Sequence, residues 1–314
     1  MALSDELLAT TVAEFIPIFV DQVFKSNPLF LRLFNRGIKL RGGDVIKQPI
    51  ITGTLNTSAF SGFDTFDINP KEVLGNLKLE WRRYQTTIAI DRDTELKNSG
   101  PNAVVDIVEG KMLVAQLSLT DRLGRDLFVG QTIGTDVDKA KQIDGLLTAI
   151  DDGTNFATYA NINRVTKTFW KAGFKNLGGP ISLLEMQKSY GDATVGPQHP
   201  TLIVTTQAIF NDIWNQLQPA QRATADQELF RAGFQNLAFN GAILVVDSHV
   251  PAGVMFFLNE NFIDMFIHQD DQFEFSGWKR PTNQDVRVGH ITVTNNLIVN
   301  NPRMHFQLSG ITTS

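Results

Sequence analysis

A long polar stretch lies between two segments with strand character, and it limits the folds that this chain can adopt. Residues 41–52 and 76–93 have the composition of strands, whereas residues 53–75 between them are rich in Gly, Ser, Thr, Asn and Asp. A connection of about 20 residues without secondary structure of its own is uncommon inside a compact domain. We therefore predict a long β-hairpin whose end reaches away from the core.

Phe60, Phe63 and Phe66 occupy every third position of this polar stretch. The chain has 23 Phe and 3 Tyr, and because Phe has no polar atom, such residues are usually buried in cores or in contacts between subunits. An exposed set of three would need a partner surface. We predict that the three side chains contact a neighbouring subunit. The alternative is a loop that folds down over its own domain.

The beginning of the chain is strongly apolar and has helical periodicity over residues 4–35, with a kink or break expected at Pro17. Phe15, Phe19 and Phe24 lie within this pattern. We predict that these three also contact a neighbouring subunit, with packing on the chain's own domain as the alternative.

A rod-like helix is predicted over residues 102–131, because apolar residues recur there at nearly continuous i, i+4 steps. At a rise of 1.5 Å per residue this helix would be about 45 Å long. The residues of the apolar stripe are Val104, Val108, Met112, Ala115, Leu119, Leu123 and Leu127.

The second half of the chain mixes helices and strands without regular alternation, which is typical of an α+β fold. A helix is expected after Pro180, and a strand that leads into a helix is expected over residues 200–219. Further strands are predicted at 237–247, 253–259 and 262–275, and a last antiparallel pair at 285–301 and 303–311.

Asp247, Ser248 and His249 are the three residue types of a serine-hydrolase triad, placed side by side. Neighbouring residues on a strand point to opposite faces, so adjacent placement does not bring the three groups into one hydrogen-bonded chain. The sequence around them, DSHVPAG, has the Asp, Ser, Pro and Gly of a turn. We interpret it as a corner between two strands and keep a hydrolase as the alternative.

No other pattern predicts chemistry. The chain has no Cys, its 5 His are scattered, and its glycines form neither a dinucleotide fingerprint nor a P-loop. Acidic residues at 91–95 and 268–271 lack the spacing of a calcium loop and are interpreted as solvated strand ends. We therefore predict no cofactor, no metal and no catalytic residue, and we expect that the protein is not an enzyme.

The formal net charge of −5 argues against a surface that grips nucleic-acid phosphates. Trp81, Arg82 and Arg83 have the composition of a nucleic-acid stripe, but the two Arg would face opposite sides of a strand. We predict intersubunit contacts for all three, with a solvated face as the alternative for the arginines. No apolar run approaches the length of a membrane span, so no membrane partner is expected.

Four stretches together resemble the major capsid proteins of tailed bacteriophages, of the Hong Kong 97 type. They are LEWRRYQTTIAIDRD, HPTLIVTTQAIFNDIWNQLQPAQR, AGFQNLAFNGAILVVDSHVPAGVMFFLN and FSGWKRPTNQDVRVGHITVTNNLIVNNPRMHFQLSGI. With the order of predicted elements, the resemblance extends over most of the chain.

The resemblance implies a Hong Kong 97-like capsid fold with an N-terminal arm, a projecting hairpin, a long spine helix and a mixed axial domain. Residues 1–40 would form the arm and residues 41–96 the extended hairpin loop. Residues 97–180 and 291–314 would form the peripheral domain with the spine helix, and residues 181–290 the axial domain.

The implied function is that of a structural head protein, which assembles as pentamers and hexamers into an icosahedral shell around double-stranded DNA. The implied location is the virion capsid, assembled in the cytoplasm of a host bacterium. Implied partners are other copies of the chain, a portal, a decoration protein, packaged DNA bound without sequence specificity, and a separate scaffolding protein, because the arm is expected to begin within the first residues. A ring-forming tail or adaptor protein is a further alternative.

Overall fold

The computed structural model describes residues 27–97, 107–132, 138–221 and 237–313. Its helices are α1 (Pro28–Asn35), α2 (Arg92–Lys97), α3 (Ile107–Phe128), α4 (Leu146–Ala149), α5 (Leu183–Asp192) and α6 (Gln207–Gln221). Short 3-10 turns occupy Gly130–Thr132, Lys139–Lys141, Thr168–Trp170, Glu260–Phe262 and Pro302–Met304. None of the described helices is both long enough and apolar enough to cross a membrane.

Fourteen strands are present in the described residues. The first seven are β1 (Ile38–Leu40), β2 (Val45–Ile51), β3 (Leu74–Glu80), β4 (Arg82–Asp91), β5 (Thr158–Tyr159), β6 (Ile162–Asn163) and β7 (Gly173–Pro180). The others are β8 (Leu202–Thr205), β9 (Leu237–Phe239), β10 (Ala242–Val246), β11 (Met255–Leu258), β12 (Ile263–Phe275), β13 (Val286–Val299) and β14 (Phe306–Thr312).

The described residues form two compact units. The smaller unit comprises residues 85–97, 107–119 and 273–292. The larger unit comprises residues 27–84, 120–132, 138–221, 237–272 and 293–313.

A six-stranded mixed sheet in the order β7-β14-β11-β8-β10-β9 lies in the larger unit. Its central strands β8 and β11 are the apolar runs LIVT and MFFL, and all of their residues are buried, as expected for strands covered on both faces. Helices α5 and α6 bury Met186, Ile209 and Ile213 in the same core as Phe257 and Leu308 of the sheet. Strands β8 and β11 and helices α5 and α6 agree with the sequence-based prediction. The single strand predicted over residues 237–247 is wrong, because the chain turns at Asn240 and Gly241 and forms the antiparallel strands β9 and β10.

The predicted antiparallel pair at the end of the chain is wrong. Strand β14 lies between β7 and β11 of the six-stranded sheet, whereas β13 lies between β12 and β4 of a four-stranded sheet in the order β1-β12-β13-β4. The residues between the two strands do not form a tight hairpin turn. Instead, the 3-10 turn Pro302–Met304 redirects the chain, and the Asn300 N–H donates to the Phe262 carbonyl at 2.9 Å.

The single strand predicted over residues 76–93 is divided at Trp81 into β3 and β4. Strand β3 pairs with β2 in a two-stranded ribbon, from Val45 opposite Glu80 to Ile51 opposite Leu74, whereas β4 joins the four-stranded sheet. The break therefore lies where the chain passes from one sheet to another, and the ribbon confirms the predicted hairpin.

Helix α3 confirms the predicted long helix over 22 residues, which corresponds to about 33 Å. Ala115, Leu119, Leu123 and Leu127 of the predicted stripe are buried. The helix ends at Phe128, before the predicted end, because Gly130 has a φ of +41°, which side chains rarely adopt. Residues 102–106 of the prediction lie outside the described residues.

Candidate functional site

The loop that joins β2 to β3, residues 52–73, exposes a concentrated set of apolar side chains. We call it the aromatic loop. Phe60, Phe63 and Phe66 are exposed to 65%, 106% and 63%, and Ile68 is exposed to 90%. The three Phe side chains are therefore not buried against their own domain, which was the alternative. Apolar side chains gathered in this way are typical of a surface that binds a partner.

The tip of the aromatic loop has local order. The rings of Phe60 and Phe66 pack edge to face, with centroids 5.1 Å apart. Between them, the Ser61 N–H donates to the Asp64 side chain at 2.8 Å, and the Asp64 N–H donates to the Ser61 carbonyl at 3.2 Å. These contacts form a turn that leaves Phe63 as the most exposed of the three rings.

A polar network connects the two sides of the loop below its tip. The Asn56 side-chain amide donates to the Asp67 carboxylate, and the Lys71 ammonium donates to the Asn56 carbonyl oxygen. The Asn69 N–H also donates to Asp67, at 3.1 Å. Because the network brings the ends of the loop together, it reduces the conformations available to the tip.

Trp81 lies at the base of the hairpin, where β3 ends. Its indole N–H donates to the Gly43 carbonyl at 2.9 Å, and its ring packs edge-on against His268 with centroids 5.4 Å apart. Arg82, with 17% of its side chain exposed, contacts the Glu80 carboxylate at 3.1 Å and the Ala140 carbonyl at 3.0 Å.

Arg83 donates to the Thr294 hydroxyl at 3.4 Å. Trp81, Arg82 and Arg83 thus all have partners in their own chain, and Arg82 is too buried for the solvated-face alternative. Their predicted contacts with a neighbouring subunit remain predictions.

The described part of the predicted arm packs on the larger unit. Leu29, Phe30 and Leu33 of α1 are buried, and Arg32 forms an ion pair with the buried Glu260 at 2.5 Å. For these residues the alternative of packing on the chain's own domain holds. Phe15, Phe19 and Phe24 lie outside the described residues, so their predicted contacts stay predictions.

The corner after β10 brings Asp247 and His249 together but does not form a hydrolase triad. The His249 ring lies between two carboxylates: its Nε2 is 2.9 Å from Asp121, and its Nδ1 is 3.5 Å from Asp247. A triad needs one ring nitrogen directed at the nucleophile and the other at the acid. Here both ring nitrogens face carboxylates, and neither is directed at Ser248, which is exposed.

The electrostatics of His249 differ from those of a general base. Burial of the ring lowers its pKa, but the nearby carboxylates of Asp247 and Asp121 outweigh that effect, and the pKa is raised above the ordinary value. A raised pKa favours the protonated ring, which cannot accept a proton from a nucleophile. Asp121 is a partner that sequence reasoning missed, because nothing in the local pattern connects it to a residue 128 positions away.

The described residues contain no group of three or more His, Cys, Asp or Glu placed to hold a metal ion. The acidic segments at 91–95 and 268–271 therefore have no metal-site geometry in that part of the chain. Asp91 accepts the Thr94 N–H at 2.9 Å, a local cap at the start of α2.

No family model and no curated protein matches this sequence. Solved structures do match over almost the whole chain. The cyanophage A-1(L) capsid is 14% identical with a TM-score of 0.77, over 97% of this chain and 98% of the other. The chain has the Hong Kong 97-like capsid fold. The α+β fold class predicted from the sequence is thereby confirmed.

Two further structures share the fold. The capsid of a native GTA particle is 8% identical with a TM-score of 0.67, over 99% of each chain. The SrpI encapsulin from Synechococcus elongatus PCC 7942 is 9% identical with a TM-score of 0.56, over 98% of this chain and 95% of the other. At such low identity the similarity establishes the fold, while the function has to be argued from the surface of this chain.

Proposed function

We propose that this chain is a structural major capsid protein, which self-assembles into the pentamers and hexamers of an icosahedral phage head. The observation that carries the proposal is the exposed aromatic loop, borne by a chain whose fold is that of phage capsid subunits over nearly its full length. A side chain such as Phe63 loses little conformational freedom when it is buried and removes a large apolar area from water. In a shell this contribution repeats at every subunit.

Contacts of this kind are heterologous, because the loop of one copy meets a different surface on the next copy. Heterologous contacts close into rings or shells when the rotation between copies permits it. Partners in this proposal are other copies of the chain, a separate scaffolding protein, a portal and a decoration protein. The head encloses double-stranded DNA without sequence-specific contacts, and it assembles in the cytoplasm of the host bacterium.

The proposal includes no enzymatic role. Both nitrogens of His249 face carboxylates, which does not favour the hydrolase alternative. The Ser248→Ala variant is therefore expected to assemble like the natural chain. Loss of assembly in this variant would count against the interpretation of the corner as a turn between two strands.

Negative-stain electron microscopy and sedimentation of the full chain, co-expressed with its neighbouring genes, test the proposal. We expect closed shells for the natural chain. The triple variant Phe60→Ser, Phe63→Ser, Phe66→Ser should remain folded but sediment as small species, because the loop makes no contribution to the core.

A matched control is Val165→Ser, which removes an apolar side chain that is 64% exposed outside the loop and should leave shells intact. Shells formed by the triple variant would refute the role of the loop. Single rings from the natural chain would instead favour the tail or adaptor alternative. Because the fold is shared with an encapsulin, shells purified from infected cells should also be assayed for DNA, and its absence would contradict a phage head.

A further inference from the structure

Two contacts that helix α3 makes within the larger unit, one with the six-stranded sheet and one with the corner after β10, differ in chemistry. At one, the rings of Phe128 and Phe256 stack with centroids 5.9 Å apart. At the other, His249 of the corner after β10 contacts Asp121 of the helix at 2.9 Å. The first attachment is apolar and independent of pH, whereas the second contains a group that titrates near neutrality.

The position of the His249 ring between two carboxylates favours its protonated state. A carboxylate can only accept hydrogen bonds, and both ring nitrogens of His249 face carboxylates. Only the doubly protonated, positively charged ring presents an N–H to each of them. In the neutral ring one nitrogen carries a lone pair, which would repel the oxygen that it faces.

Backbone hydrogen bonds fix the corner that carries this ring, and the ring itself is buried. The Asp247 backbone N–H donates to the Thr205 carbonyl at 3.1 Å, and the Asp247 carboxylate accepts the backbone N–H of His249 at 3.0 Å. The His249 side chain is only 3% exposed, so water screens its interactions weakly. The ring therefore has few ways to turn away when its charge changes.

The charged groups around the ring come from both elements that pack on it. The corner contributes Asp247 and the helix contributes Asp121. The two arginines that follow on the helix, Arg122 and Arg125, pair with the buried Asp126 at 2.8 Å and 3.1 Å. The surroundings of the ring thus favour its positive charge.

We propose that His249 is a proton-dependent clasp between the corner at residues 247–253 and helix α3. The clasp is closed when the ring is protonated, and it opens when the ring loses a proton, whereas the apolar Phe128–Phe256 contact remains in either state. The attachment of helix α3 to the corner therefore depends on pH.

The direction of the pH effect follows from the raised pKa of His249. A group whose pKa is higher in the folded state than in the unfolded state stabilises the fold fully below its unfolded pKa, which is about 6.5 for histidine. That stabilisation is lost as the pH rises through the pKa of the folded state. Alkaline conditions should open the clasp, and mildly acidic conditions should keep it closed.

The exchange of the histidine C2 hydrogen with deuterium, followed by mass spectrometry, measures the titration of His249 in the full chain. We expect a midpoint above about 6.5 for the natural chain and a decrease of about one pH unit in Asp121→Asn, since an opposite charge within 4–6 Å shifts a pKa by about that much. Asp192→Asn makes the same charge change at an exposed position on α5 and should leave the midpoint unchanged. A natural midpoint at or below 6.5, or no decrease in Asp121→Asn, would overturn the proposal.

Opening is measured by backbone amide exchange in residues 120–128, compared between the natural chain and His249→Gln at the same pH. Two pH units below the measured midpoint the variant should exchange at least several-fold faster, and two units above it the difference should disappear. An equal difference at both pH values would show that His249 acts only through packing. If His249→Gln does not fold, Asp121→Asn serves in the same comparison. Because the clasp lies within one chain, failure of this test would not affect the proposed function.

Discussion

Acidification should destabilise the fold through one fully buried histidine, His305. Its Nδ1 accepts the Asn259 N–H at 3.2 Å, and its Nε2 has no hydrogen-bond partner among the described residues. Burial lowers the pKa of His305 to about 3, an effect that the Phe262 carbonyl only partly offsets. The ring is therefore neutral in the folded state down to quite acidic pH.

The magnitude follows from the difference between the folded and unfolded states. An unfolded histidine with a pKa of about 6.5 is almost completely protonated at pH 4, whereas the folded His305, with a pKa of about 3, is still mostly neutral. Each pH unit between the unfolded pKa and pH 4 therefore costs about 1.4 kcal/mol, or about 3 kcal/mol in total. The stabilisation is present above pH 6.5 and is lost as the pH falls towards 3.

The variant His305→Asn isolates this contribution, because the Asn side-chain oxygen can accept the same Asn259 N–H but does not titrate. Urea unfolding, followed by tryptophan fluorescence at pH 7 and pH 4, gives the free energy of unfolding of both proteins in the same oligomeric state. We expect the natural chain to lose about 3 kcal/mol more than the variant between these pH values. An equal loss in both proteins would refute the reasoning.

Two further predictions concern stability. Gly130→Ala should lower the free energy of unfolding by about 1–3 kcal/mol, because Gly130 has a positive φ and a side chain there would collide with the backbone of Ile143 and Gly145. Differential scanning fluorimetry measures the loss, and an unchanged melting temperature would contradict the prediction. Arg164→Met should lower the free energy of unfolding by about 3 kcal/mol or more, since the fully buried guanidinium donates to the Thr148 carbonyl at 2.8 Å and to other backbone carbonyls that would lose their partners. Urea unfolding measures the loss, and a loss below about 1 kcal/mol would contradict the prediction.

The local sequence was sufficient to predict several parts of the fold. The corner after β10 was predicted because Asp247, Pro251 and Gly253 each favour a turn, and Gly253 indeed has a φ of +73°. Helix α5 begins where expected, with the Ser182 hydroxyl accepting the Glu185 N–H at 3.2 Å. Such features depend on residues only a few positions apart.

Features that depend on distant residues were not predictable in the same way. Strand β14 was recognised as a strand, but its pairing with β7 and β11 depends on residues far away in the sequence. Where the predicted strand is divided, the Trp81 indole N–H donates to the carbonyl of Gly43, a residue 38 positions away. No periodicity in the sequence reports such contacts.

The candidate site shows the same distinction. The spacing of Phe60, Phe63 and Phe66 within a polar stretch was enough to predict an exposed aromatic surface. The contact of His249 with Asp121 was not foreseen, because one residue lies in a turn and the other on a helix 128 positions earlier. The four-part division of the chain into arm, hairpin loop, peripheral domain and axial domain remains a prediction.

The central claim is that the aromatic loop rests on another copy of the chain. A cryo-electron microscopy reconstruction of the assembled particle, at a resolution that shows side chains, tests it directly. We predict density for Phe63 within about 4 Å of apolar side chains of an adjacent subunit. A reconstruction in which residues 52–73 lie against their own subunit, or remain in solvent while the shell is intact, would contradict the account.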